Sequence, residues 1–224
     1  MKSKRTRRID VRRGYDLWAP TYDTTPNPVV VMDSRFALQL LRPSRGERIL
    51  DAGCGTGRNL RGLLESGAIA CGVDFSTGML QTARRHIPGA PLAQADLSRL
   101  PFRRQSFDAI LCALIGEHMR DLRACFEEFR VLLKKRGRMV FTVYHPDLAA
   151  AGKEANFEIG DTQYKLGAIR YGVADYVAAI EGSGFGGIHC TEYKGDAELA
   201  RALPAARKWI GHNMLLAIAA VRRN

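Results

Sequence analysis

Short apolar runs alternate with amphipathic stretches through the first two thirds of the chain. In RGERILDAGCGTGRNLRGLLESG, residues 48–50 form a short buried strand ending in Asp51. A glycine loop follows, then a helix to about residue 65, closed by Gly67. AIACGVDF is a second strand over 68–74, after which Ser76 opens a helix, STGMLQTARRH, by accepting from free backbone N–H groups. APLAQAD is a third strand ending near Asp96, and SFDAILCALI a fourth over 107–113. A helix over 119–133 carries Leu122, Cys125, Phe126 and Phe129 at helical spacing, and GRMVFTVYH is a fifth strand. Apolar strands alternating with amphipathic helices predict an α/β domain with a parallel sheet and right-handed crossovers.

Upstream, GYDLWAPTYD predicts a short helix. A turn containing Pro20, Pro26 and Pro28 follows, then a helix over 29–41. Downstream of His145 the periodicity breaks into a polar segment with a small hairpin expected around Gly160 and Asp161. VADYVAAIEGSGF reads as a helix, GGIHCTEY as a strand, DAELARALP as a helix and HNMLLAIAAVRR as a final strand. At 224 residues the chain suits one domain. The expected division is a flexible basic tail over 1–13 and a domain over 14–224. Within it, lid helices span 14–42 and a covering insertion spans 147–172.

The chemistry gathers at the strand ends. Asp51, Gly53, Cys54, Gly55 and Gly57 follow a strand and open a helix. Glycines there let the chain turn tightly and let a ligand approach without a Cβ clash. The spacing is GxGxG, which departs from the GxGxxG dinucleotide fingerprint and lacks the GK[ST] ending of a phosphate-binding P-loop. Asp74 ends the second strand and Asp96 follows the third, both at the carboxyl edge where open α/β sheets bind ligands. Asp74 can accept both hydroxyls of a ribose, Asp96 an exocyclic adenine amine, and Asp51 a cationic or amine-bearing part. With no phosphate-neutralising cation in the set, the implied ligand is an adenosine with a charged, amino-acid-like tail.

On these residues the chain resembles the class I S-adenosylmethionine-dependent methyltransferases, in the small-molecule group similar to ubiquinone/menaquinone-type enzymes. ILDAGCGTG resembles the first motif, GVDFSTGML the second, and QADLSRLPFRRQSFDAILCAL the third and fourth. VLLKKRGRMVFT is similar to the following helix end and fifth strand, so the likeness covers residues 15–143. It implies a three-layer Rossmann-like fold of seven strands in the order 3-2-1-4-5-7-6, with strand 7 antiparallel and supplied by MLLAIAAV. It implies S-adenosyl-L-methionine as cofactor, S-adenosyl-L-homocysteine as product and no metal. Asp74 is then the ribose acid and Asp96 the adenine-side acid, with Leu97 an adjacent backbone contact. Phe75 packs at the ribose–adenine junction, Met79 against adenine, and Ala113 offers a backbone carbonyl. GYDLWAPTYD resembles the N-terminal lid, which brings Tyr15 and Tyr22 near the methionine end.

Charge and cysteines refine this picture. Lys and Arg number 34 against 23 Asp and Glu, a net +11, of which residues 1–13 hold +6. Such a cluster reads as a solubilising tail, or as a contact for nucleic acid, an anionic membrane or an acidic partner. Five cysteines without a CxxC pair argue against a disulfide scaffold or zinc site and suit a reducing cytoplasm. No apolar run is long enough to span a membrane. The partner expected is a small-molecule acceptor, and the chain a monomer or homodimer.

A base is needed when the acceptor is a phenol, hydroxyl or acidic carbon. Glu117, His118, Tyr144 and His145 lie at the edge where it would act, and the 147–172 insertion is the expected roof of the acceptor pocket. No Asn/Asp-Pro-Pro-Tyr motif follows the fourth strand, where the chain reads LCALIGEH. RNA methylation and noncatalytic binding of the cofactor stay open as alternatives.

Overall fold

The computed structural model describes residues 5–224. The chain starts with strand β1 (Arg5–Arg8), helix α1 (Val11–Trp18) and helix α2 (Pro28–Leu41). Asn27 caps α2 by accepting from the Val29 and Val30 amides, and Pro28 supplies a first-turn φ. Then come β2 (Arg48–Ala52), α3 (Arg58–Glu65), β3 (Ile69–Asp74), α4 (Thr77–His86), β4 (Leu92–Gln94) and β5 (Phe107–Ala113). They are followed by α5 (Leu122–Leu132), β6 (Leu133–Tyr144), α6 (Pro146–Ala150), β7 (Asn156–Ile159) and β8 (Thr162–Lys165). The chain closes with α7 (Val173–Gly182), β9 (Phe185–Lys194), α8 (Ala197–Ala202) and β10 (Asn213–Arg222).

The central sheet has the order β4-β3-β2-β5-β6-β10-β9, which is the expected 3-2-1-4-5-7-6. Strands β4 through β6 run parallel, and β10 lies antiparallel to both β6 and β9. On one face Phe126 and Phe129 of α5 and Tyr176 and Ile180 of α7 pack onto Ile110, Phe141 and Ile218. On the other, Ala37 and Leu41 of α2 and Leu60 and Leu63 of α3 pack onto Ile49, Leu111 and Val140. Each large side chain buried in these layers contributes about 1.5–3 kcal/mol. Strands with both faces covered read as unbroken apolar runs, which is why ILCAL and VFTV were legible as strands.

Two expectations are corrected. Residues 5–8 form no flexible tail: β1 pairs parallel to β8, and β8 pairs antiparallel to β7, in a small second sheet. RTRR has no apolar alternation and all four residues are exposed, so backbone pairing alone makes it a strand. Residues 1–4 lie outside the described residues. The helix expected from 119 begins at Leu122, because Asp121 caps it by accepting from the Ala124 amide at 2.9 Å. A 3-10 turn, Gly116–His118, precedes it and carries two candidate side chains.

No helix among the described residues is long and apolar enough to cross a membrane.

Candidate functional site

The loop after β2 takes the positive φ angles that favour glycine, +80° at Gly53 and +53° at Gly55. A Cβ on Gly53 would meet Ile115 Cδ1 at 2.6 Å, whereas nothing lies within 4 Å of a Cβ on Gly55. The Gly53 and Cys54 amides both donate to the Val73 carbonyl at 2.8 Å, which seats the loop on β3. At the end of β3, Asp74 Oδ2 accepts from the Gly55 amide at 2.9 Å and Oδ1 from the Ser76 amide at 2.8 Å. Burial pushes the Asp74 carboxyl up to about 6, against the pull of these N–H groups.

A cavity of about 730 Å³ opens over this loop. It is lined by Gly53, Gly55, Asp74, Phe75, Met79, Asp96, Leu97, Ala113, Tyr15 and Tyr22, so the structure brings these expected contacts to one place. Asp96 Oδ1 accepts from the Ser98 hydroxyl and amide, which hold its carboxyl below the usual range. Two residues expected here lie elsewhere. Asp51 is buried beneath the loop, accepts from the Leu60 amide at the start of α3, and is pushed up by burial to about 7. Cys54 points down into the β3 layer, where a Cβ on Gly72 would meet its Sγ at 2.7 Å.

Helix α1 closes the cavity and is latched. Asp16 Oδ1 accepts from the Ser76 hydroxyl at 2.7 Å and the Gly78 amide at 2.9 Å. Tyr15 Oη lies 3.1 Å from His118 Nε2. Thr56 Oγ1 donates to Asp23 Oδ1 at 2.7 Å, fixing the segment that carries Tyr22. Helix α2 is tied below by Asp33, a fully buried acid bonded to Arg58 Nη2 and Thr142 Oγ1 at 2.6 Å each. At the far end of β5, Leu114 has φ +59°, a strained value for a residue with a Cβ; its amide donates to the Thr142 carbonyl. Leu114 and the next residue, Ile115, both line the cavity.

The four acceptor-side candidates separate. His118 lines the cavity; burial pushes its pKa down to about 4, so its ring is neutral at physiological pH. Glu117 is buried behind it, with Oε1 3.8 Å from His118 Nε2, Oε2 unpartnered, and its carboxyl pushed up to about 8. Tyr144 Oη is also buried and unpartnered. His145 is a correction. Its Nδ1 accepts from the Asp147 amide, capping α6, and its Nε2 lies 2.8 Å from Glu192 Oε1, so both nitrogens serve the fold. It lines neither this cavity nor a second one, of about 430 Å³, across Tyr22.

Asp16, Asp33 and Leu114 escaped the sequence reading, as did Arg12 and Arg120, which also line the cavity. Asp16 had a signal within GYDLWAPTYD, because an acid one residue after a lid tyrosine can reach a neighbouring helix start. The Asp33 network joins positions far apart in the chain and had none.

S-Adenosylmethionine fits these residues. Asp74 offers buried carboxylate oxygens beside an open glycine floor, Phe75 and Met79 offer apolar surface, and Asp96 offers an acceptor at the far end.

Comparison with known proteins agrees. Residues 50–141 match the family model for a methyltransferase domain. Demethylmenaquinone methyltransferase of Clavibacter sepedonicus is 33% identical over 133 residues, covering 56% of this chain and 54% of that protein. Malonyl-[acyl-carrier protein] O-methyltransferase of Halorhodospira halophila is 32% identical over 161 residues, 67% of this chain and 53% of that one. The chain thus spans little more than half the length of these curated relatives. An S-adenosylmethionine-dependent methyltransferase from Mesorhizobium loti superposes with a TM-score of 0.70 at 26% identity, covering 83% of this chain and 96% of that one.

Proposed function

We propose, from the premise that this chain is a member of the class I S-adenosylmethionine-dependent methyltransferases, that it methylates a small-molecule acceptor. The observation that carries the reading is Asp74, a buried acid at the end of β3, beside a glycine floor and under a latched lid. When bound, S-adenosylmethionine supplies a methyl group made electrophilic by a sulfonium.

The chain's part is binding, orientation and exclusion of water. Asp74 accepts from the ribose hydroxyls, Asp96 and the Leu97 backbone face the adenine, and Phe75 and Met79 pack beside it. Tyr15 and Tyr22 bring lid surface to the other end, and the Asp16 latch holds α1 closed. The two acceptor-side groups on the turn after β5 differ in basicity. His118, pushed down to about 4, is a weak base suited to hydrogen bonding, whereas Glu117, pushed up to about 8, can take a proton near neutrality. Residues 147–172, which include α6, β7 and β8, are assigned the cover of the acceptor on the ground that Phe157 and Leu166 pack against Trp18 and the lid tyrosines. We place the chain in the cytoplasm, a reading supported by five free thiols.

The test is incubation with methyl-deuterated S-adenosylmethionine and a bacterial extract, followed by mass spectrometry of separate metabolite and RNA fractions. The label should enter a small molecule with the wild type and not with Asp74→Ala. Label confined to RNA would replace this reading with RNA methylation, and no transfer to any fraction would contradict it.

A further inference from the structure

Next to the cavity sits a buried acid with no counter-ion. Glu117 is 6% exposed and its Oε2 has no hydrogen-bond partner. Among the described residues no Lys or Arg offsets its charge; burial raises its carboxyl, only partly opposed by a backbone N–H. The one imidazole within reach, His118, is neutral, with Nε2 engaged by Tyr15 and Nδ1 unpartnered. An ionised carboxylate in such a place costs several kcal/mol unless a cation joins it.

The surroundings favour a cation as well. Tyr15 and Tyr22 line the cavity, and Tyr176 packs at Gly116, the residue before Glu117, 3.1 Å from where a Cβ there would stand. Tyr15 packs against Trp18 at 5.9 Å and meets His118 edge-on at 5.5 Å. The charged groups that bear most on Tyr15 are Glu117 and Asp74, both acids. Aromatic rings near a carboxylate favour an ammonium group over an anion.

We propose that the acceptor is an amine, taken up as its ammonium ion beside Tyr15 and held by Glu117 from behind His118, with His118 Nδ1 as a second hydrogen-bonding contact. This rests on the methyltransferase reading above. In the ammonium form the nitrogen has no lone pair. One N–H proton passes to the Glu117 carboxylate, giving the neutral amine and the carboxylic acid. The freed lone pair then forms the new N–C bond as the sulfonium–methyl bond breaks, its electron pair remaining on sulfur as a neutral thioether. The positive charge ends on the methylated nitrogen.

The test is calorimetric titration at pH 7 of protein saturated with S-adenosylhomocysteine, whose sulfur is neutral, so that Glu117 has no sulfonium to answer. The probes are phenethylamine against 2-phenylethanol and ethanolamine against ethylene glycol, in two buffers of different ionisation enthalpy. At least one amine should bind tenfold or more tightly than its alcohol and release close to one proton as Glu117 ionises. Glu117→Gln should abolish that preference while keeping its affinity for S-adenosylhomocysteine. Should the variant fail to fold, amine preference and proton release in the wild type decide the matter. Equal binding of amine and alcohol, or a preference that survives in Glu117→Gln, overturns the amine inference and leaves the methyltransferase reading standing. Failure of S-adenosylhomocysteine to bind removes both.

Discussion

Tyr15 Oη and His118 Nε2 lie 3.1 Å apart although 103 residues separate them in the chain. The bond joins α1 to the turn after β5, so the position of α1 and the orientation of the His118 ring depend on each other. With Nε2 so engaged, only Nδ1 of His118 is left unpartnered. Tyr15→Phe should lower single-turnover rates while the fold persists, because the phenyl ring keeps its packing. A double-mutant cycle of Tyr15→Phe and His118→Ala, read on S-adenosylhomocysteine affinity, should return a coupling of about 0.5–1.5 kcal/mol. Additive effects would show that lid and turn act independently.

The Asp33 network predicts a stability effect distant from the cavity. Arg58→Met leaves a fully buried carboxylate with Thr142 and Asn59 as its remaining partners. The cost should be about 3 kcal/mol, the low end for breaking a buried pair because the Arg58 side chain is 30% exposed. Adding Asp33→Asn to Arg58→Met should recover part of the loss in urea denaturation, since the orphaned charge is then gone.

Acid–base linkage gives a third expectation. The Glu117 carboxyl, at about 8 in the folded chain, lies above its unfolded value of about 4.3. Its stabilising contribution is complete below about pH 4.3 and is lost as pH rises through about 8. His118 works in the opposite sense. At about 4 it lies below the unfolded value of about 6.5, so its contribution is present above about 6.5 and lost as pH falls through 4. Between pH 6.5 and 8 the Tm of the wild type should therefore fall more steeply than that of Glu117→Gln. Parallel Tm curves would refute the burial-raised pKa.

Strand β1 can be removed without touching the cavity. Deleting residues 1–9 keeps Asp10, which caps α1 by accepting from the Arg13 amide. The deletion removes the Arg5-to-Asp161 and Ile9-to-Lys165 backbone bonds and leaves β8 as an edge strand. Amide exchange across 156–165 should accelerate at least tenfold, with cofactor affinity changed by less than about threefold. Unchanged exchange would mean that β1 does not hold β7 and β8 in place.

The legible parts of this chain are those where one local pattern serves one global need. ILDAGCGTG encodes its own strand, turn and helix start, and the alternation of apolar runs and amphipathic helices encodes the parallel sheet. Asp74, Asp96 and the loop glycines were readable because strand ends converge on one edge whatever the details of packing. Asp51 and Cys54 belong to the same motif, yet they face inward. Motif membership says nothing about which side of a loop a side chain takes. His145 looked available because it follows a strand at the right edge, but Pro146 makes it the cap of a helix whose other partner, Glu192, is on a distant strand. β1 was invisible because its pairing partner lies more than 150 residues away and its own side chains carry no apolar period.

Calorimetric titration of S-adenosylmethionine into the wild type and Asp74→Ala, each shown folded by circular dichroism, tests whether Asp74 holds the ribose. One equivalent should bind to the wild type. In Asp74→Ala the loss should be about 2–4 kcal/mol, roughly 30- to 1000-fold in Kd, as charge-assisted bonds to the ribose disappear. No binding by the folded wild type, or undiminished affinity in the folded variant, would contradict it.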